Sequence, residues 1–180
     1  MNNWKNKIFS VQTAVFILGA MLLIVLDLWL KYWSYYNLSG MPPREIIPGF
    51  LGFRYVVNTG MAFGLFAGAD FMRYALIIAN IAITCGLVWY YYLFDPKNKK
   101  HWLCRVAVIM VFAGGIGNLY DRLFLGHVRD MLEFLFVRFA IFNLADVFVT
   151  GGVFAFLFLV IFIAKDAPLI KPKQNNEMDS

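Results

Sequence analysis

Two aspartates have settings that could support chemistry: Asp130, in His127-Val128-Arg129-Asp130-Met131, and Asp146, in Phe142-Asn143-Leu144-Ala145-Asp146. Two carboxyl groups within hydrogen-bond reach resist ionising together, so such a pair shares a proton. The protonated member can donate to a carbonyl while the ionised member takes a proton from water, the pairing that amide hydrolysis needs. Read alone, Asp146 fits equally an N-cap or a first-turn acid favoured by a helix dipole. Only the pairing with Asp130 argues for chemistry.

Other polar residues gather around this pair in the sequence. Asp27 and Lys31 stand four residues apart, the spacing of an ion pair on one helix face, and are expected to be structural. Lys31 alone fits equally a lysine whose stem reaches the interface. Gly114-Gly115-Ile116-Gly117 offers small residues for close helix packing and runs into Asn118, Asp121 and Arg122. Asp121 and Arg122 read as either a plain surface pair or a functional one. Phe53 to Val57 reads as a short strand leading into Asn58-Thr59-Gly60-Met61-Ala62-Phe63-Gly64. That run fits an ordinary turn, or a close backbone approach to an extended peptide.

Helices in lipid must position these groups. The chain has 180 residues, 61% hydrophobic and 15% charged, far from a soluble balance. Four apolar windows, residues 11–32, 74–94, 102–120 and 145–164, approach the roughly 20 residues that cross a hydrocarbon core. The first is too long for a signal-peptide core, ends in Asp27 and Lys31 and lacks a small-x-small cleavage site, so it is expected to be retained. Lys5 and Lys7 precede the first span, Lys97, Lys99, Lys100 and Arg105 surround the second connection, and Lys165, Lys171 and Lys173 follow the fourth. Positive charge favours the cytoplasm, which predicts both termini inside, with residues 33–73 and 121–143 outside. Asp27, Lys31, Asn118 and Asp146 then all fall at the outer ends of their spans. An unpaired charge at mid-bilayer costs at least about 2.5–3.5 kcal/mol, so one shared outer site is the economical arrangement.

Several function classes recede. The net charge of +5 comes from lysines flanking the spans, so no nucleic-acid partner is expected. Cys85 and Cys104 lie in spans without metal-ligand or redox spacing, and no His-Glu-x-x-His occurs; neither a metal nor a cofactor is expected. The serines form no visible arrangement with a histidine inside the spans. An ion-coupled transporter would place its ionisable groups near the midplane rather than at one end. Residues 1–170 are expected to form one four-span domain and residues 171–180 a disordered polar cytoplasmic tail.

Taken together, the Asp27 and Lys31 pair, Asn58-x-Gly60-x-Ala62-Phe63-Gly64, Asn118-x-x-Asp121-Arg122, Val128-x-Asp130 and Phe142-Asn143-x-Ala145-Asp146 resemble lipoprotein signal peptidase, also called signal peptidase II. The resemblance covers nearly the whole chain. It implies an all-α membrane protein with four transmembrane helices, a small external β-containing cap and a short external amphipathic segment. It implies that Asp130 and Asp146 are the catalytic dyad of an aspartic endopeptidase of the bacterial inner membrane, with Asn58, Gly60, Asn118, Arg122 and Asn143 shaping the site or holding substrate. The implied substrate is a prolipoprotein whose cysteine carries diacylglycerol, cut just before that cysteine beside membrane lipid; a monomer is expected. Two stretches depart from the family's habit. Leu28-Trp29-Leu30 stand where polar residues are common, and Met131 replaces a Phe, an exchange that keeps the apolar contact. The stretch from Trp33 to Asp70, with Phe53, Tyr55, Phe63 and Phe66, is expected to cover the cleft, as either a rigid cap or a mobile lid with glycines at 60, 64 and 68.

Overall fold

A computed structural model of the chain describes residues 3–60, 70–95 and 97–164, with side chains described from residue 11 and again from residue 71. Four helices are long and apolar enough to cross a membrane. Helix α1 covers Asn3–Leu38, α2 covers Asp70–Tyr91, α3 covers Lys99–Phe124 and α4 covers Leu144–Phe158, continued by one π-helical turn at Leu159–Ile163. Large apolar side chains such as Leu18, Trp89 and Phe154 are exposed along them, as expected where lipid replaces water as the solvent.

Three boundaries differ from the sequence expectation for physical reasons. Helix α1 runs past residue 32 because no glycine or proline interrupts it before Gly40, whose positive φ of 75° turns the chain. Helix α2 stops at Tyr91, where the N–H groups of Tyr92 and Leu93 turn back to the carbonyls of Trp89 and Tyr90. Helix α3 continues to Phe124, so Asp121 and Arg122 belong to its last turn, and Gly126, at φ 81°, ends it by donating to the Asp121 carbonyl.

A three-stranded antiparallel sheet, β1 (Arg44–Ile47), β2 (Leu51–Asn58) and β3 (Val128–Phe134) in that order, supplies the small cap that the sequence led us to expect. Pro48 and Gly49, the latter at φ 68°, make the β1–β2 turn, closed by the Phe50 N–H on the Ile47 carbonyl at 3.0 Å. Pairing of β2 with β3 sets Val56 opposite Asp130 and Asn58 opposite Val128. Residues 135–141 are irregular and carry exposed Phe136, Arg138 and Phe139. The chain then returns to β3, where Phe142 and Leu132 exchange hydrogen bonds at 2.8 and 3.0 Å. That return delivers the next residue, Asn143, to the start of α4.

Helix α3 is the central element and packs against α1, α2 and α4. Its glycines permit this: a Cβ at Gly114 would strike the Ala145 carbonyl oxygen, and one at Gly117 would strike the Asp27 carboxylate. The main apolar cluster, including Phe16, Tyr91, Phe94, Cys104, Val108 and Val160, fills the end of the bundle away from the sheet. Buried Asp27, Lys31, Asn118, Asp121, Asp130 and Asn143 collect at the sheet-bearing end.

Candidate active site

Asp130 on β3 and Asp146 on the first turn of α4 line one cavity of about 440 Å³, together with Asn58, Asn118 and Arg122. Phe134, Phe139, Ile141 and Phe142 form an apolar wall, and Val147, Thr150 and Gly151 carry the cavity along α4. Sequence reasoning had no signal for this wall, because it depends on how residues 135–141 fold back.

Each carboxylate receives two hydrogen bonds. Asn58 Nδ2 donates to Asp130 Oδ2 at 3.0 Å and Asn143 Nδ2 to Asp130 Oδ1 at 2.7 Å. Asn118 Nδ2 donates to Asp146 Oδ1 at 2.8 Å, and the backbone N–H of Asn143 donates to Asp146 Oδ2 at 3.1 Å. Asn143 is therefore the link between the two carboxyls. Its own Oδ1 accepts the Asp146 N–H at 3.0 Å, which completes a reciprocal cap on α4. Asp146 is thus a first-turn acid and not the N-cap, which is Asn143, and this local role coexists with a place on the cavity.

Donors fix all three asparagine amides. The Gly60 N–H donates to Asn58 Oδ1 at 3.0 Å, the Asp146 N–H to Asn143 Oδ1, and Lys31 Nζ to Asn118 Oδ1 at 2.9 Å. With its oxygen engaged, each amide must turn its NH₂ group toward a carboxylate. Gly60 thus stands one step behind the cavity, supporting Asn58. Residues 61–69, including Phe63, Gly64, Phe66 and Gly68, lie outside the described residues, as does the tail from 165.

Asp27 and Lys31 form the expected pair at 2.8 Å, both with fully buried side chains. Asp27 Oδ1 also accepts the Ala145 N–H at 2.8 Å, so α1 holds the start of α4. Asp121 is no surface residue and does not pair with Arg122. It is fully buried and takes two bonds from the Arg129 guanidinium, at 3.1 and 2.7 Å, and one from the Arg129 backbone N–H at 3.0 Å. This buried fork locks the end of α3 to the residue before Asp130. Arg122 instead reaches back to the Asn118 carbonyl at 3.4 Å, while Arg73 caps the same helix end through the Arg122 carbonyl at 3.0 Å.

Burial pushes the Asp130 carboxyl up to about 6, helped by the nearby Asp146 charge and opposed by the Asn58 and Asn143 hydrogen bonds and by Lys31. Asp130 is only 2% exposed, so desolvation dominates. A carboxyl that holds its proton into the weakly acidic range, facing a second carboxyl across a cavity, can act as an acid while its neighbour acts as a base. Among the described residues, no group of three or more His, Cys, Asp or Glu side chains is placed to hold a metal ion.

Known proteins resemble this chain over most of its length. The family model described as Signal peptidase (SPase) II matches residues 19–162. A lipoprotein signal peptidase of Lactobacillus gasseri is 38% identical over 156 residues, covering 86% of this chain and 97% of that protein. One from Enterococcus faecalis is 38% identical over 148 residues, covering 82% and 88%. A solved bacterial membrane enzyme superposes with a TM-score of 0.68 at 29% identity, covering 89% of this chain and 94% of its own.

Proposed function

The chain belongs to the signal peptidase II family, multi-pass membrane proteases that remove signal peptides from prolipoproteins, and we propose that it does so as an aspartic endopeptidase with Asp130 and Asp146 as its dyad. The observation that carries this reading is the double engagement of Asn143, which ties both carboxyls to one cavity wall. Asp130, with its raised pKa, holds the proton and donates it to the scissile carbonyl oxygen. The Asp146 carboxylate takes a proton from water, and the hydroxide oxygen bonds to the carbonyl carbon. Collapse of the tetrahedral diol breaks the C–N bond: the proton held by Asp146 goes to the leaving amine, and one diol hydroxyl returns its proton to Asp130 as the carbonyl of the new carboxyl group re-forms. Asn118 and Asn143 supply donors that hold the carboxylates in place, so little reorganisation accompanies the charge movement.

The substrate is a prolipoprotein whose cysteine carries diacylglycerol, cleaved just before that cysteine. The wall formed by Phe134, Phe139, Ile141 and Phe142 and the apolar face of α4 suit acyl chains and a signal-peptide helix beside a polar reaction centre. Arg122 and Asn58 offer donors to the peptide backbone, and Gly60 keeps Asn58 turned toward the site. The lysine distribution favours both termini in the cytoplasm and the sheet-bearing end at the outer face. There water reaches the carboxyls without crossing hydrocarbon. We take the enzyme to work as a monomer without metal or cofactor, residues 1–170 forming one domain.

The test uses the detergent-solubilised full chain with a diacylglyceryl-modified precursor and its unmodified counterpart. Selective release of the signal peptide from the modified form is expected. Asp130→Asn and Asp146→Asn should each lower turnover by at least about a thousandfold, the scale of losing an essential acid or base. Normal cleavage by either correctly inserted variant overturns the dyad.

A further inference from the structure

Lys31 lies behind the carboxyls rather than among them, yet its contacts run straight to one of them. Its ammonium meets Asp27 Oδ2 at 2.8 Å, Asn118 Oδ1 at 2.9 Å and Asp121 Oδ2 at 3.9 Å. Asn118 in turn donates from Nδ2 to Asp146 Oδ1 at 2.8 Å. An ammonium only donates, so it can pair only with the oxygen end of the Asn118 amide, which accepts. Reversing that amide would set NH₂ against NH₃⁺ on one side and oxygen against a carboxylate on the other, two repulsive contacts in a buried setting.

We infer that Lys31 is a positioning residue for the reaction: it fixes the Asn118 amide so that the NH₂ group stays on Asp146. This rests on Asp146 serving as the base. A hydrogen bond donated to a carboxylate favours its ionised form, so Lys31 keeps the base ready through Asn118, whose side-chain oxygen it holds with a full positive charge at 2.9 Å. Asn143 Nδ2 also reaches Asn118 Oδ1, at 3.1 Å, but the same nitrogen serves Asp130 at the shorter 2.7 Å. The pair with Asp27 is then more than neutralisation of two buried charges. Asp27 anchors the α4 start through the Ala145 N–H, and Lys31 orients the donor that meets the acid on that same turn.

The charged groups around Asp146 are Arg122 and Asp121 on α3, Asp130 on β3, and Asp27 and Lys31 on α1. A purely structural Lys31 would change the amount of folded enzyme and its thermal midpoint only. A positioning Lys31 changes the pH profile. In Lys31→Met the ascending limb of kcat/KM, which reports the base, should move up by at least about half a pH unit, with kcat down about tenfold and KM little changed. Asn118→Ala should show the same displaced limb, and adding Lys31→Met to it should cost less than about twofold more, because both act through one amide. The double variant Asp27→Asn/Lys31→Met repeats the measurement without an unpaired buried carboxylate, since the amide introduced on α1 retains an oxygen for the Ala145 N–H. That form serves if Lys31→Met fails to insert. An unmoved limb in either Lys31 variant, or losses that multiply fully with Asn118→Ala, overturns the inference. Asp146→Asn serves as the control: if it still turns over normally, the base assignment itself fails, whereas an inactive Asp146→Asn beside an unmoved limb sinks only the role of Lys31.

Discussion

Asn143 donates to Asp130 from its side chain at 2.7 Å and to Asp146 from its backbone at 3.1 Å, so one residue sets the relation between two carboxyls on different elements. The residue can do this because Phe142 is pinned to β3 on one side and α4 starts on the other. Its side chain therefore has two separable duties, capping α4 through Oδ1 and supporting Asp130 through Nδ2.

Those duties give the first prediction. Serine caps a helix about as well as asparagine but is too short to reproduce the Nδ2 contact with Asp130. Asn143→Ala should lose about 0.5–2 kcal/mol of stability with the cap and about a hundredfold in kcat. Asn143→Ser should recover most of the stability and little of the activity. Thermal unfolding in detergent beside turnover of a lipid-modified precursor separates the two; an Asn143→Ser enzyme as active as the parent would refute the Nδ2 role.

Acid–base behaviour gives the second. Asp130 titrates near 6 and is proposed to act protonated, so its share of kcat/KM is complete below that pH. Activity should fall about tenfold per unit as pH rises beyond about 6, and the limb in kcat should lie higher once substrate displaces water from the cavity. The Asn58 hydrogen bond favours the ionised form, so Asn58→Ala should shift the descending limb to higher pH, not lower. A shift to lower pH, or a flat profile between pH 5 and about 8, would count against Asp130 as the acid.

Much of this site was legible in the sequence, and the reasons differ by residue. The four spans follow from length and hydropathy, and Asp27 with Lys31 from helical spacing. The cap strand around Phe53 to Val57 follows from β-branched and aromatic residues ahead of a turn, whereas its partners Arg44–Ile47 and Val128–Phe134 were not read from the sequence. The partner of Asp121 was hidden because its neighbour in sequence, Arg122, is not its neighbour in space: Arg129 arrives through the Gly126 turn, and only the folded chain brings that fork onto Asp121. The bridging by Asn143 was likewise hidden. Its reach to Asp130 depends on the β3–Phe142 pairing, and its cap on α4 on where that return starts the helix. Spacing along the chain reveals contacts within one helix, and contacts between elements depend on turns that carry no comparable period.

Helix packing supplies the third prediction. At Gly117 an added Cβ would meet the Asp27 carboxylate, and at Gly114 it would meet the Ala145 carbonyl and Val149, whereas no atom of the described residues lies within 4 Å of one at Gly86 on α2. Alanine exceeds glycine in helix propensity by about 1 kcal/mol, so propensity alone predicts that all three Gly→Ala changes stabilise. Packing reverses the sign at two of them. Gly114 abuts backbone, which yields only if α3 and α4 separate, and Gly117 abuts a carboxylate already committed to Lys31 and Ala145. Overpacking of this kind costs about 1–3 kcal/mol. Gly114→Ala and Gly117→Ala should therefore lower the thermal midpoint and reduce turnover, because the displaced groups hold the first turn of α4 on which Asp146 sits. Gly86→Ala should leave activity intact and hold or raise the midpoint. Equal midpoints for all three variants would mean that the α1–α3–α4 contact is looser than the geometry requires, and the coupling from packing to the carboxyls would fall with it.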